Sequence, residues 1–187
     1  MDVASEESFR KTLAAARSGQ EWAWTSIYRE LAPPLLGYLR ARGAAEPDDL
    51  LGELFLQIIR DVGSFEGEQR DFRAWAFAIA HHRLIDDRRY RARRPVEPAW
   101  PETLIENQAL AQPEEPWPQG IEDPQIRAAL RRLPEEQRNV VLLRIIGDLS
   151  AGETGRVLGK SAGAVRALQR RALASLRREI AKSTVTP

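Results

Sequence analysis

Seven prolines lie within thirty residues near the middle of this chain: Pro95, Pro98, Pro101, Pro113, Pro116, Pro118 and Pro124. Each removes a backbone donor and restrains φ, so no long helix is expected there. Charge divides at the same place. Residues 1–94 carry 15 basic and 15 acidic side chains, residues 95–126 carry no basic and 7 acidic ones, and residues 127–187 carry 13 basic and 5 acidic ones. The formal net charge of +1 hides a neutral block, an acidic connector and a basic block. Two small domains on an extended acidic tether follow from that pattern. Trp100, Leu104, Ile105 and Trp117 make the connector apolar enough to dock on a surface; packing on the chain's own domains explains them equally well.

Composition narrows the class. An apolar fraction of 43% over 187 residues is enough for compact cores. No run of about 18 apolar residues marks a membrane span. The start, MDVASEESFRK, is polar and lacks an apolar signal core. With no cysteine, a disulfide framework and a thiolate zinc site are both excluded. A cytoplasmic protein without membrane insertion is the expectation.

The first block has helical periodicity throughout. Phe9, Leu13 and Ala16 open one helix, which Gly19 is expected to end. A second covers Trp22 to Arg42, with Ile27, Leu31, Leu35 and Leu39 spaced by four; Pro33 and Pro34 should kink or interrupt it. A third covers Pro47 to Val62, opened by proline and Asp48-Asp49, where both are favoured. The fourth runs from about Phe72 to Arg93, apolar at its start and basic at its end. Aromatics beside arginines suit single-stranded nucleic acid; a core helix with a solvated basic tail fits the same letters.

The last block contains two short helices around a tight turn. Ser150 with Glu153 forms a capping box, Gly159 suits a left-handed helix end, and Ser161 caps the next helix. Val165, Leu168, Ala172 and Leu176 share one face, while Arg166, Arg170 and Arg177 share another. This is the plan of a helix-turn-helix whose basic face can neutralise phosphates and reach a guanine edge. Gly152 and Gly155 sit inside its first helix, each costing about 1 kcal/mol against alanine. No catalytic constellation is present. His81 and His82 are adjacent and cannot form an i, i+4 metal pair, so neither a metal nor a cofactor is expected.

Taken in order, the segments DDLLGELFLQIIRDVGSF, FRAWAFAIAHHRLIDDRRYRARR, LRRLPEEQRNVVLLRIIGDLS and the helix-turn-helix resemble the extracytoplasmic-function (ECF) group of bacterial sigma factors, over nearly the whole chain. The resemblance implies an all-α protein of two small helical domains: an N-terminal helical bundle at 1–94 and a C-terminal helix-turn-helix domain at 125–187. A flexible acidic linker at 95–124 joins them. It implies core RNA polymerase as partner, through its β′ clamp helices and β flap, together with promoter DNA and an anti-sigma factor gripping both domains. Asp48, Asp49, Glu53, Phe55 and Gln57 match the polymerase-binding helix. Asp61, Phe72, Trp75, His82, Arg83, Arg88, Arg89 and Arg91 match the −10 reading and melting region, the Asp61–Asp71 loop corresponding to a pocket for a flipped base. Ser161, Gly163, Arg166, Ala167, Arg170 and Arg171 match the −35 reader. Leu168 and Gln169 stand where the family usually has an arginine and an aliphatic residue. A stand-alone helix-turn-helix regulator and a helical sequestering protein with an incidental basic stripe are the alternatives.

Overall fold

The computed structural model describes residues 3–93 and 123–184, so most of the proline-rich connector lies outside the described residues. Within them the regular structure is wholly helical, without a strand. The first half comprises α1 (Val3–Arg17), α2 (Glu21–Ala41), α3 (Pro47–Asp61) with a 3₁₀ turn at Val62–Ser64, and α4 (Gln69–Arg93). The second half comprises α5 (Pro124–Arg132), α6 (Glu135–Ile145), α7 (Ala151–Leu158) and α8 (Ala162–Thr184).

Local rules place most of these ends. Gly19 adopts φ 77° after α1, a left-handed conformation that suits glycine. Pro47 opens α3, and Asp48 and Asp49 fill its first turn, where the helix dipole favours carboxylates. Asp123 caps α5 by accepting from the Gln125 amide at 2.7 Å.

Pro33 and Pro34 do not interrupt α2. Each proline strips a donor from a carbonyl four residues back, on Arg29 and Glu30, and both of these residues are exposed, where water can take the donor's place. The other face carries Ile27, Leu31, Leu35 and Leu39, all buried. Burying a side chain of that size contributes roughly 1.5–3 kcal/mol, so four of them outweigh the proline cost of about 3 kcal/mol.

In the N-terminal bundle Leu35, Tyr38 and Leu39 of α2 pack with Leu54 and Ile58 of α3 and Phe77, Ala80 and Leu84 of α4, all fully buried. In the second half Val140, Val165 and Leu168 form a small cluster of their own. The larger apolar cluster runs through both halves, from Phe9 to Ala172, and takes in Ile146, Leu149 and Val157. A proline-rich tether alone permits many arrangements; here α7 lies against α4, and α6 against α2.

Candidate nucleic-acid interface

The helix-turn-helix is built as its residues dictate. Ser150 Oγ accepts from the Glu153 amide at 3.2 Å, and the Glu153 carboxylate accepts from the Ser150 amide, completing the capping box. Gly159 closes α7 at φ 63°. The Lys160 amide then donates to the Gly155 carbonyl at 2.8 Å, and Ser161 Oγ caps α8 by accepting from the Ala164 amide at 3.2 Å. A β-carbon on Gly155 would lie 2.4 Å from the Lys160 carbonyl oxygen, so this tight turn requires the glycine.

On α8, Val165, Leu168 and Ala172 turn inward. Ser161, Gly163, Arg166, Arg170 and Arg171 are exposed, and Ala167 is half-buried beside them. The two unusual residues have structural partners: Leu168 packs with Val140 and Val165, and Gln169 accepts from Arg144 Nε at 3.3 Å. The exposed arginines therefore form a cationic face on a rigidly seated helix, the arrangement that a major groove accepts.

The second candidate face centres on α4. Phe72 is buried within an aromatic group, 5.1 Å from Phe65 and 5.6 Å from Phe9 between ring centres. Trp75 is half-buried and 5.3 Å from Phe65. A cavity of about 490 Å³ opens here, lined by Asp61, Ser64, Phe65, Asp71 and Trp75 together with Arg156 and Val157 of α7. Asp61 and Trp75 thus meet at one site; Phe72 packs behind it; His82 is exposed and does not line the cavity. Arg156 donates to Asp71 at 3.0 Å, which holds the Asp71 carboxyl below its usual range.

The basic end of α4 is partly paired. Arg83 donates to Gln57 at 2.8 Å and lies 3.4 Å from Glu53; Arg89 faces Asp86; Arg91 donates to Asp87 at 2.9 Å. On α3, Asp48 pairs with Arg40 at 3.2 Å, and Asp49 and Glu53 are exposed. Phe55 is buried against Tyr28, with ring centres 4.7 Å apart. The apolar side chains that α3 presents to solvent are instead Leu56, 63% exposed, and Ile59, 46% exposed.

Sequence reading did not single out Arg42. An arginine before a glycine at a helix end looks solvated, yet its side chain is 0% exposed and donates to Glu135 at 2.7 Å across the seam. Around it, the Tyr38 hydroxyl and His81 Nδ1 share a hydrogen bond of 2.9 Å. Burial raises the Tyr38 phenol to about 12 and, with Arg42 and His82 nearby, lowers the His81 imidazole to about 4. The hydrogen bond from Arg42 lowers the Glu135 carboxyl, while burial and the Arg42 charge lower Arg88 and Arg138.

Among the described residues no group of acidic, histidine or cysteine side chains could hold a metal, and no helix is long and apolar enough to cross a membrane. Two family models match in order: sigma-70 region 2 over residues 27–94 and sigma-70 region 4 over residues 129–178. The ECF RNA polymerase sigma factor BldN of Streptomyces coelicolor is 34% identical over 165 residues, 87% of this chain and 62% of BldN. SigD of Mycobacterium tuberculosis, also an ECF RNA polymerase sigma factor, is 33% identical over 181 residues, 93% of this chain and 84% of SigD. Among solved structures, CnrH bound to the cytosolic domain of CnrY aligns with a TM-score of 0.63 at 26% identity, covering 90% of this chain and 94% of that one. The sigma factor RpoE of Bartonella quintana, bound to the anti-sigma factor NepR, also aligns at 0.63, covering 83% of this chain and 95% of that one. Its 18% identity bears on the fold alone.

Proposed function

This chain belongs to the ECF group of the sigma-70 family, and we propose that it directs core RNA polymerase to promoters by reading a −35 element with α8 and melting a −10 element along α4. The observation that carries this is the order of parts: a region 2 bundle with a basic helix end, followed by a region 4 helix-turn-helix whose arginines are exposed. A stand-alone repressor would need only the second part.

In this reading Arg166, Arg170 and Arg171 contact the −35 duplex, with Ser161, Gly163 and Ala167 giving close approach. The Asp61–Asp71 loop and Trp75 hold an unstacked base, and Arg83, Arg88, Arg89 and Arg91 line the strand's phosphates. Asp48, Asp49, Glu53 and Gln57 meet the β′ clamp helices, while Phe55 supports that face from beneath. Domain boundaries at 94 and 125 place the linker between the two DNA contacts. The protein acts on polymerase without chemistry of its own, in the cytoplasm where polymerase works. CnrH, solved in complex with the cytosolic domain of CnrY, supports a protein partner for this chain as well, and we take that partner to be an anti-sigma factor.

The test adds purified protein to core polymerase and sequences the 5′ ends of the transcripts. Start sites should share paired upstream motifs. Starts without a common motif would sink the proposal, and tight specific duplex binding without polymerase would favour the stand-alone regulator.

A further inference from the structure

Several polar contacts cross the seam between the halves among the described residues. Arg73 Nε donates to the Gly147 carbonyl at 2.6 Å, Arg156 pairs with Asp71, Arg70 lies 3.8 Å from Glu153, and Arg42 and Arg88 both reach Glu135. The Glu135 contact differs from the rest in its charge balance. Arg42 and Arg88 converge on one oxygen, Glu135 Oε1, at 2.7 and 3.2 Å. Arg88 also donates to the Arg42 carbonyl, and Arg138 adds a third cation close by. Arg42 Nε and Nη1 are buried and find no acceptor among the described residues. An arginine buried with donors unmatched is destabilising, and one carboxylate cannot neutralise three guanidinium groups. Arg42 is thus held by Glu135 and beside Tyr38 with part of its donor capacity unmatched.

We propose that Arg42 and Arg88 form a phosphodiester site for promoter DNA, which Glu135 fills with its own carboxylate while the two halves are closed on each other. The inference rests on the sigma-factor reading above. A guanidinium fork matches two phosphate oxygens, so a phosphate supplies the acceptor that Arg42 Nε and Nη1 lack in the closed chain. Arg88 lies on the same helix end as Arg83, Arg89 and Arg91, so a strand following that basic run reaches the Arg42 pocket. Glu135 comes from the other half, and thirty residues of chain separate α4 from α5. Withdrawal of α6 therefore uncovers the site without unfolding the bundle. The same motion lifts Arg156 and Val157 from the cavity beside Asp61 and Trp75. The closed chain thus covers the Arg42 pocket and the cavity beside Trp75, while Arg89 and Arg91 of α4 and the arginines of α8 remain exposed.

The experiment measures promoter affinity against salt for holoenzyme reconstituted with each variant, and affinity of the free chain for a −10 fork-junction DNA. Arg42→Gln and Arg88→Gln should each reduce the slope of log K against log salt by about 0.7–0.9, with the sequence preference at −10 and −35 unchanged. Glu135→Gln should leave the holoenzyme slope as it is and strengthen fork-junction binding by the free chain. Arg88, whose side chain is 35% exposed, carries the test if the buried Arg42 variant does not fold. An unchanged slope for Arg88→Gln, or effects of the same sign from Arg88→Gln and Glu135→Gln on fork-junction binding, would make the cluster a structural pairing only. Inorganic phosphate separates a strand from a free anion: Arg42-dependent thermal protection of the free chain would assign the site to a small anion and overturn the DNA assignment. Loss of promoter-specific starts with the unaltered chain would overturn the sigma-factor reading itself, whereas normal starts with an unchanged slope overturn the phosphate site alone.

Discussion

Gly155 faces the Lys160 carbonyl so closely that a β-carbon would lie 2.4 Å from the oxygen, whereas a β-carbon on Gly152, one turn earlier in α7, would meet nothing nearer than Ser150 Oγ at 3.9 Å. Two glycines with the same intrinsic helix cost thus have opposite roles. Gly155→Ala should destabilise the protein by about 1–3 kcal/mol, because backbone must shift to admit the methyl group. Gly152→Ala should stabilise it by roughly 0.4–1 kcal/mol by restricting the unfolded chain. Urea unfolding of both variants checks this; equal changes would remove the special role of Gly155.

Arg166 and Arg170 lie exposed on α8, and neither forms an ion pair with a carboxylate among the described residues. Replacing either with alanine should cost about 1–3 kcal/mol of discrimination between cognate and mutated −35 elements, if each reads a base edge. Holoenzyme binding to a panel of −35 variants measures this. A uniform loss across all sequences would mark the residue as a phosphate contact instead.

His81 gives the fold a defined response to acid. Its imidazole, normally near 6.5, is lowered to about 4 by burial first and then by Arg42 and His82, with Arg88 adding to the effect and Glu135 opposing it. The depressed value means that the unfolded chain binds the proton more readily than the folded one. The contribution of neutral His81 is therefore complete above pH 6.5 and lost progressively toward pH 4. His81→Gln keeps a hydrogen-bonding partner for the Tyr38 hydroxyl and cannot titrate. Urea midpoints of the variant should fall less steeply than those of the parent between pH 6.5 and 4; parallel curves would show that His81 does not carry this dependence.

Leu56 is exposed on α3 and Phe55 is buried beside it. Leu56→Ala should weaken core-polymerase binding while leaving thermal stability within about 0.5 kcal/mol of the parent. Phe55→Ala should instead cost about 3–5 kcal/mol of stability, as for a large buried aromatic. Polymerase titration beside thermal unfolding separates the two; unaltered affinity for Leu56→Ala would displace the contact face from this side of α3.

Much of the architecture was legible because local chemistry agreed with tertiary packing. The Ser150–Glu153 box, Gly159 and the Val165-Leu168-Ala172 face are short-range signals, and each stands where its spacing placed it. Pro33 and Pro34 misled for the opposite reason: a local penalty yielded to a buried stripe extending on both sides of them. Gly155 carried no signal of its need, since its clash partner lies across a turn. Arg42 was invisible because its burial depends on Glu135, 93 positions later, and no periodicity encodes a contact of that range. The inward turn of Phe55 was likewise hidden within a stripe too wide to reveal which aromatic faced the core.

Promoter-directed initiation by core polymerase is the most direct measure of function. With purified protein and core enzyme on a genomic template, 5′-end sequencing should yield starts that share a −10 and a −35 motif at constant spacing, and Arg170→Ala should lose preference at the −35 motif alone. Starts no different from those of core enzyme by itself would contradict a role in promoter selection.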